Sequence, residues 1–386
     1  MEYFIDFSSR SMNKYNEELC GDKVEFFYDE KNCIVILSDG LGSGVKANIL
    51  ATLTSKIAIT MLKEGSDIYE VVDTIAKTLP VCSQRKLAYS TFTIINIDNK
   101  GMVYMAEFDN PSVFYLSGGT ISEINWKTVK INNRLIKESR FEIKENDIMV
   151  IASDGVIYAG TGKILNLNWK WSDVSDYIKK FINWKMTSKE ITDTLIGVCD
   201  QLYMQKPGDD TTVATIKVVK PKYTTLISGP PKDKNKDKEI VNMFINSKGN
   251  KIVCGGTTAQ IVARELGEKI NTNFDIIDDN VPPITHIKGI DLVTEGILTL
   301  TETIKKIERV KIENNLNFLD KEDGASKLAK IIFEKSTHIK LIVGGATNIA
   351  NKNICLNKDI NKRIQLVEQL KATLISLGKI VEICYC

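Results

Sequence analysis

The sequence predicts two domains, an α+β domain over residues 1–220 and an α/β domain over residues 222–386. The length of 386 residues fits two domains of ordinary size. In the first part, two helices follow one strand and short strands then dominate, whereas strands and helices alternate in the second part. The composition also changes at Pro221-Lys222, where we place the boundary.

The elements of the first domain begin with a buried strand at residues 33–37, an apolar run that ends in Ser38-Asp39-Gly40. Apolar residues at three- and four-residue spacing then predict two consecutive helices. After them, strand-like runs on either side of Asn99-Lys100-Gly101 predict a β-hairpin. The expected helices are 45–63, 66–79, 174–184 and 187–204, the last with a Thr187/Glu190 capping box, and the further strands are 113–116, 141–143, 148–152 and 212–219.

The second domain reads as an alternation typical of a largely parallel sheet. Its expected strands are 224–228, 251–254, 340–343 and 379–384, and its expected helices are 238–247, 258–266, 297–308 and 360–377.

Charge and cysteine content narrow the class of partner and the compartment. Lys and Arg total 51 against 49 Asp and Glu, so no cationic surplus favours nucleic acid or an anionic membrane surface. The eight cysteines include no CxxC pair and are too sparse for a disulfide scaffold, and the N-terminus does not resemble a signal peptide. We expect a cytoplasmic protein with protein or small-molecule partners, and a homodimer stays open.

Acidic residues follow or precede apolar strands at four places in the first domain. Two strands each end in Ser-Asp-Gly, at Asp39 and Asp154, while Asp22 precedes the first strand and Asp209 precedes the last. Such carboxylates together form an oxygen-rich site that suits Mg²⁺ or Mn²⁺, and the absence of histidine from the first 285 residues disfavours zinc. Asp-Gly is also a common turn dipeptide, so any one of these sites alone can be only a turn.

These motifs, in this order, resemble the metal-dependent protein phosphatases (the PPM class), most closely the stage II sporulation protein E (SpoIIE) type of bacterial serine phosphatases. The similarity covers about residues 8–219. It rests on CGD at 20–22, SDGLGSG at 38–44, STF at 90–92, the segment 107–118, SDGV at 153–156 and GDDTTV at 208–213. Together with the strand alternation, it implies a sandwich of two antiparallel sheets flanked by helices.

The resemblance also implies roles for individual residues. Asp39 would bridge two Mn²⁺ or Mg²⁺ ions and the Gly40 carbonyl would bind one of them. Asp154 and Asp209 would bind the other ion, Asp22 would act near the first pair, and Asp210 matches the asparagine-like neighbour of Asp209. Leu41 stands where eukaryotic members carry a histidine, which the bacterial subgroup also commonly lacks, and Arg10 is a candidate phosphate clamp.

The implied activity is hydrolysis of phosphoserine and phosphothreonine in a phosphorylated protein, with Asp39, Asp154 and Asp209 as the catalytic metal ligands and with regulation or docking through residues 222–386. The alternative is a catalytically weak, phosphatase-like scaffold that binds phosphoproteins.

The second domain carries a possible anion site at Gly255, Gly256, Thr257 and Thr258. There a strand ends in Gly-Gly and a helix follows, so backbone N–H groups could receive a small anionic ligand. A similar Gly-Gly-Ala-Thr segment ends at Thr347, and residues 291–296 precede another helix that could face the same crevice. Gly-Gly can equally serve only as a tight turn.

Overall fold

The structure is a computed structural model that describes residues 3–29, 31–78, 90–132, 134–161, 169–272, 285–313, 317–346 and 356–386. The chain divides into two compact units, Met1–Lys220 and Pro221–Cys386. Leu79 of the second expected helix and Thr347 lie outside the described residues.

The first unit contains eleven strands and five helices among its described residues. The strands are β1 Phe4–Met12, β2 Asp22–Tyr28, β3 Asn32–Gly40, β4 Ser90–Asp98, β5 Met102–Phe108, β6 Phe114–Ser117, β7 Thr120–Ile121, β8 Lys127–Ile131, β9 Arg134–Glu142, β10 Ile148–Ala152 and β11 Thr211–Val219. The helices are α1 Gly44–Lys63, α2 Ile68–Thr78, α3 Asp154–Ile157, α4 Trp171–Phe181 and α5 Ser188–Leu202.

These strands form two antiparallel sheets, which confirms the predicted sandwich. One sheet has the order β1-β11-β10-β6-β7 and the other β2-β3-β4-β5-β9-β8. The unbroken apolar run at residues 33–37 lies in strand β3. Every residue of the run is apolar because both faces of this strand are buried. Cys33, Val35 and Leu37 pack between the sheets, whereas Ile34 and Ile36 pack against helices α1 and α2.

Helix α1 covers the second sheet and passes the length and apolarity test for a membrane span. Nine of its 20 residues are buried in this unit, as in the core helix of a globular domain. Helices α4 and α5 cover the other sheet around Val174, Ile191 and Leu195. Helix α5 begins at the predicted capping box, in which the Glu190 N–H donates to the Thr187 hydroxyl.

Several elements of the first unit differ from the sequence-based expectation. Strand β1 was not expected, although it pairs with β11 along its full length. Strands β8 and β9 form a hairpin where only a weak strand near 141–143 was expected. Buried and exposed residues do not alternate regularly along these two strands, and several of the exposed residues are charged. The sequence there lacks the two-residue apolar period that predicts a strand. Helix α4 begins at Trp171, three residues before the predicted start.

The second unit is an α/β fold, as predicted. Its strands are β12 Tyr223–Ser228, β13 Asn250–Cys254, β14 Asn271–Thr272, β15 Thr285–His286, β16 Leu292–Thr294, β17 His338–Val343 and β18 Ile380–Tyr385. Its α-helices are α6 Asp237–Ile245, α7 Gly256–Leu266, α8 Ile297–Glu313, α9 Gly324–Lys335 and α10 Leu356–Ser376. Helix α9, capped by Asp323, was not predicted.

The sheet of the second unit has the order β14-β15-β16-β13-β12-β17-β18, and its five strands from β16 to β18 are parallel. Neighbouring residues of β12 face opposite layers of helices. Leu226 packs in the layer that contains Leu300 and Leu328, and Ile227 packs in the layer that contains Val262. Helices therefore cover both faces of this sheet, as in doubly wound folds.

Candidate active site

Asp22 and Asp39 lie directly opposite each other on strands β2 and β3. Cross-strand partners have Cβ atoms about 4.5–5.5 Å apart, so the two carboxylates are neighbours. The Gly40 N–H donates to the Gly21 carbonyl at 3.0 Å. A Cβ atom on Gly40 would lie 1.9 Å from the carbonyl oxygen of Ala47, so only glycine lets the first turn of α1 pack this closely.

Asp154, Asp209 and Asp210 come from the ends of β10 and β11 in the other sheet. Asp154 is the first residue of the short helix α3, and the Ser153 N–H donates to the Thr212 carbonyl at 3.0 Å. A Cβ atom on Gly155 would lie 2.1 Å from the Asp210 carbonyl oxygen, so this glycine too permits a close approach. The second Ser-Asp-Gly motif therefore brings α3 against the residues that precede β11.

The two groups of carboxylates belong to one electrostatic cluster, which we call the acidic cluster: Asp22, Asp39, Asp154, Asp209 and Asp210. Burial and then the charge of Asp22, followed by Asp154, Asp209 and Asp210, raise the pKa of Asp39. Burial, with repulsion from Asp210 and Asp154, raises the pKa of Asp22. The pKa values of Asp154 and Asp209 are also raised, chiefly by burial, and Lys14 opposes the rise at Asp209.

Asp22 provides a test of whether the acidic cluster fits a cation. Its side chain is 4% exposed, and neither carboxylate oxygen has a hydrogen-bond partner. The hydroxyls of Ser153 and Thr212 are close enough to lower its pKa somewhat, but neither reaches hydrogen-bonding geometry. A buried carboxylate without a partner is costly, and a hard divalent ion satisfies both its charge and its oxygen atoms.

Within the described parts of the chain, no three acidic, thiol or imidazole groups converge as a preformed metal cage. This arrangement is compatible with Mg²⁺, which commonly binds one or two carboxylates and keeps several waters. Cys20 lies beside the cluster, but burial and the charges of Asp22 and Asp210 raise the pKa of its thiol to about 12. The groups of the cluster that suit a hard cation are therefore its carboxylate oxygens.

Asp209 and Asp210 differ in their surroundings. The Asp209 side chain is 45% exposed and lies 3.9 Å from the Lys14 ammonium group. Asp210 is buried, and its carboxylate accepts a hydrogen bond of 3.0 Å from the Lys14 N–H. The Asp210 backbone N–H also donates to the Asp209 carboxylate at 3.0 Å, which orients the Asp209 side chain.

Asn110 is a site residue without a role in the sequence analysis. Its amide donates to the Thr93 hydroxyl at 2.7 Å and to the Ala152 carbonyl at 3.3 Å. Thr93 belongs to one sheet, and Ala152, two residues before Asp154, belongs to the other. Asn110 therefore connects the two sheets close to Asp154. Its position in the motif segment 107–118 is the one sequence signal that could have identified it.

A groove of 640 Å³ lies beside Asp154, lined by Asp109, Asn110, Pro111, Ser112, Asp154, Ile157, Tyr158 and Trp171. The Trp171 indole N–H donates to the Ser112 carbonyl at 2.8 Å, and its ring stacks on Phe114 with centroids 4.7 Å apart. One wall of the groove is therefore a fixed aromatic ring.

Glu107 anchors the loop 109–112, which also lines this groove. Its carboxylate accepts hydrogen bonds from the Val113 N–H at 2.8 Å and from the Ser112 hydroxyl at 3.0 Å. Burial raises the pKa of Glu107 to about 7, although these hydrogen bonds and Lys137 oppose the rise. Glu107 acts here on the loop conformation and does not line the groove.

Arg10 is not placed as a phosphate clamp. Its guanidinium pairs with Asp193 of helix α5 at 3.0 Å, so its charge is engaged on the outer surface of β1. Leu41 supplies no titratable group next to Asp39-Gly40. A cationic side chain that does lie near the acidic cluster is that of Lys14.

In a comparison with known protein families, residues 29–219 match the model of stage II sporulation protein E (SpoIIE). Among solved structures, the chain is similar to the phosphatase domain of SpoIIE from Bacillus subtilis, with 18% identity and a TM-score of 0.44 over 57% of this chain and 94% of that one. A PP2C phosphatase domain of the same protein with a fragment of its regulatory domain shows 19% identity and a TM-score of 0.49, over 56% and 64%. RsbX in complex with magnesium shows 18% identity and a TM-score of 0.42, over 56% and 96%. No curated protein sequence matches the chain.

The raised pKa values of Asp22 and Asp39 predict how the stability of the metal-free protein depends on pH. Their folded-state pKa values lie above the unfolded value of about 3.9, so the folded state binds more protons. Their contribution to the free energy of unfolding is thus complete below about pH 4 and is lost as the pH rises through the folded-state values, by at most about 1.4 kcal/mol per pH unit and group.

In the presence of a chelator, Asp39→Asn should therefore raise the unfolding midpoint more at pH 8 than at pH 6. Thermal unfolding at the two pH values measures this difference, and the same substitution at exposed Asp176 is the control. An equal effect of Asp39→Asn at both pH values would show that the pKa of Asp39 is not raised in the folded protein.

Proposed function

Because residues 29–219 form a domain of the stage II sporulation protein E family, whose members are protein serine/threonine phosphatases, we propose that the chain hydrolyses phosphoserine and phosphothreonine with two divalent ions, Mn²⁺ or Mg²⁺. The observation that supports the metal most strongly is Asp22, whose buried carboxylate oxygens have no hydrogen-bond partner beside four further carboxylates.

The residues that would hold the ions are Asp22, Asp39, the Gly40 carbonyl, Asp154 and Asp209. When bound, two divalent ions supply a hydroxide nucleophile near neutral pH and neutralise the charge on the phosphoryl oxygens. The protein itself fixes the carboxylates from two rigid sheets, so their positions do not depend on a loop alone. Tyr203 adds to this rigidity, since its hydroxyl donates to the Gly155 carbonyl at 2.7 Å.

The groove beside Asp154 is the proposed site for the peptide that carries the phosphate. Trp171 and the loop 109–112 both line it, joined by the hydrogen bond from Trp171 to Ser112, and Asn110 fixes that loop to both sheets. A phosphorylated side chain that reaches Asp154 along the groove would lay its flanking residues against the Trp171 ring. Tyr158, 58% exposed, offers a second aromatic surface there.

The competing function is a phosphoprotein-binding scaffold without turnover. The acidic cluster favours catalysis, because a site that only binds phosphate has no use for buried carboxylates that repel it. Hydrolysis of an aryl phosphate and of a phosphoserine peptide, each with and without Mn²⁺, separates the two functions. Peptide binding without metal-dependent hydrolysis would favour the scaffold.

We expect Asp39→Asn and Asp154→Asn each to lower turnover by about a hundredfold or more, since each removes a charged metal ligand. The measurement is aryl phosphate hydrolysis across a range of Mn²⁺ concentrations. Asp176→Asn, on the exposed face of helix α4, is the matched control and should keep full activity. Near-parental turnover of either variant at saturating Mn²⁺ would contradict the assignment.

Trp171→Ala should raise KM for a phosphoserine peptide by roughly tenfold while leaving the hydrolysis of a small aryl phosphate within about twofold, because only the peptide extends along the groove. Trp184→Ala removes the same side chain from a site that is 56% exposed and does not line the groove. If both variants treat the peptide alike, the groove does not bind it.

For the second unit we propose a regulatory role, in which its state changes the metal affinity of the phosphatase unit. The Mn²⁺ concentration for half-maximal hydrolysis should then differ between the full chain and residues 1–220, by a factor in the range of about 5 to 150 typical of allosteric coupling. Each unit has hydrophobic clusters of its own, which makes the truncation a reasonable protein to prepare. Identical activation curves would leave the second unit only a docking role.

A further inference from the structure

The predicted anion site at residues 255–258 lines a crevice of 230 Å³ at the start of helix α7. The charged side chains of this crevice are already engaged. Arg363 donates to the Gly344 carbonyl at 3.1 Å, and Glu295 places a carboxylate at the start of the helix. The anion site therefore stays a prediction. The groove beside Asp154 differs, because one of its carboxylates is not engaged by the protein.

That carboxylate belongs to Asp109, an exposed residue that lines the groove. In the part of the chain that the structure describes, it has no hydrogen bond and no salt bridge. Its backbone, in contrast, is held on both sides. Asn110 donates to the Thr93 hydroxyl at 2.7 Å, and Glu107 accepts from the Val113 N–H at 2.8 Å. A free charged group on a fixed backbone suits recognition, because little order is lost when a ligand binds.

The backbone conformation of Asp109 does not account for its charge. Its φ of 49° lies in the left-handed region, which asparagine and aspartate tolerate better than other residues with a side chain. Asparagine would fit there as well, and it would not repel an incoming phosphate. A carboxylate in this groove therefore weakens binding of a phosphorylated substrate unless the substrate also carries a cation that meets it.

The other residues of the groove also suit a cation. Among the described residues that line it, none is basic. Trp171 is 37% exposed, and Phe114 stacks on one face of its ring, so the opposite face and the ring edge remain accessible. A guanidinium binds favourably over the face of a tryptophan ring and also pairs with carboxylates. Asp109 and Trp171 thus offer the two kinds of group that an arginine side chain binds.

We propose that the groove selects phosphopeptides that carry an arginine within two residues of the phosphorylated serine or threonine, and that Asp109 determines this specificity. The guanidinium pairs with the Asp109 carboxylate and stacks on the Trp171 ring, while the phosphate reaches Asp154. A groove of 640 Å³ has the size of a small-ligand site, so it holds the phosphorylated residue and its near neighbours only. This inference rests on the proposed function, because it names the substrate class of the same site.

Phosphoserine peptides that differ at one position test the specificity. Arginine or glutamine is placed in turn at each of the two positions on either side of the phosphoserine, and kcat/KM is measured with Mn²⁺. At one position at least, arginine should give a kcat/KM about tenfold above that of glutamine. An exposed aromatic contact and an exposed ion pair each contribute roughly two- to fivefold. The ratio should fall as salt is added, because salt screens the ion pair.

Asp109→Asn should lower the arginine-to-glutamine ratio to about threefold, because only the aromatic contact remains, and salt should then change the ratio little. The variant should fold, since asparagine tolerates the left-handed backbone. Asp176→Asn is the control. It removes the same charge from an exposed position on helix α4 and should keep the parental ratio. A peptide with aspartate at the selected position should be a poorer substrate than the glutamine peptide, and Asp109→Asn should reduce that difference.

Fluorescence anisotropy with the same peptides and Mn²⁺ separates this inference from the proposed function. Metal-dependent hydrolysis without a preference for arginine at any position, or with a preference that Asp109→Asn leaves unchanged, overturns the specificity alone. Binding that depends on arginine and on Asp109, but without hydrolysis, supports the specificity and contradicts the phosphatase activity. If neither hydrolysis nor arginine-dependent binding is observed, both proposals are wrong.

Discussion

Electrostatic repulsion within the acidic cluster is the constraint on which the first unit depends. Its carboxylates are contributed by both sheets, and burial raises the pKa of Asp39 and Asp22. Such an arrangement costs folding free energy, which the apolar core between the sheets and the two helical layers must offset. Two glycines, Gly40 and Gly155, then allow α1 and α3 to pack within van der Waals distance of the cluster. The fold is thus arranged to hold groups that a cation would stabilise.

The same end of the sandwich connects the cluster to the groove. Asn110 contacts Thr93 in one sheet and Ala152 in the other, and Glu107 fixes the remainder of the loop through Ser112 and Val113. The hydrogen bonds of Asn110 therefore help to position both the wall of the groove and Asp154. If the acidic cluster binds metal and the groove binds a peptide, as proposed, a change at the carboxylates should alter peptide binding, and the reverse holds for the same reason.

Local sequence patterns predicted the elements that short-range interactions determine. The apolar run before Asp39, the Thr187/Glu190 capping box and the strand–helix alternation of the second unit all carry short-range signals. The motifs shared with the phosphatase family also indicated which carboxylates to consider as one cluster. Long-range pairing carried no such signal, so the partner of β1 and the strand orders could not be predicted. The burial of Asp210 and the wall formed by Trp171 depend on contacts between distant segments, which periodicity does not encode.

Calorimetric titration of the chelator-treated chain with Mn²⁺, in two buffers of different protonation enthalpy, tests the central claim most directly. The buffer dependence gives the number of protons released for each ion bound. If the acidic cluster is the metal site, two ions should bind and protons should be released near neutral pH, because carboxylates with raised pKa values must ionise to bind them. Binding without proton release, or unchanged release in Asp39→Asn, would contradict the account.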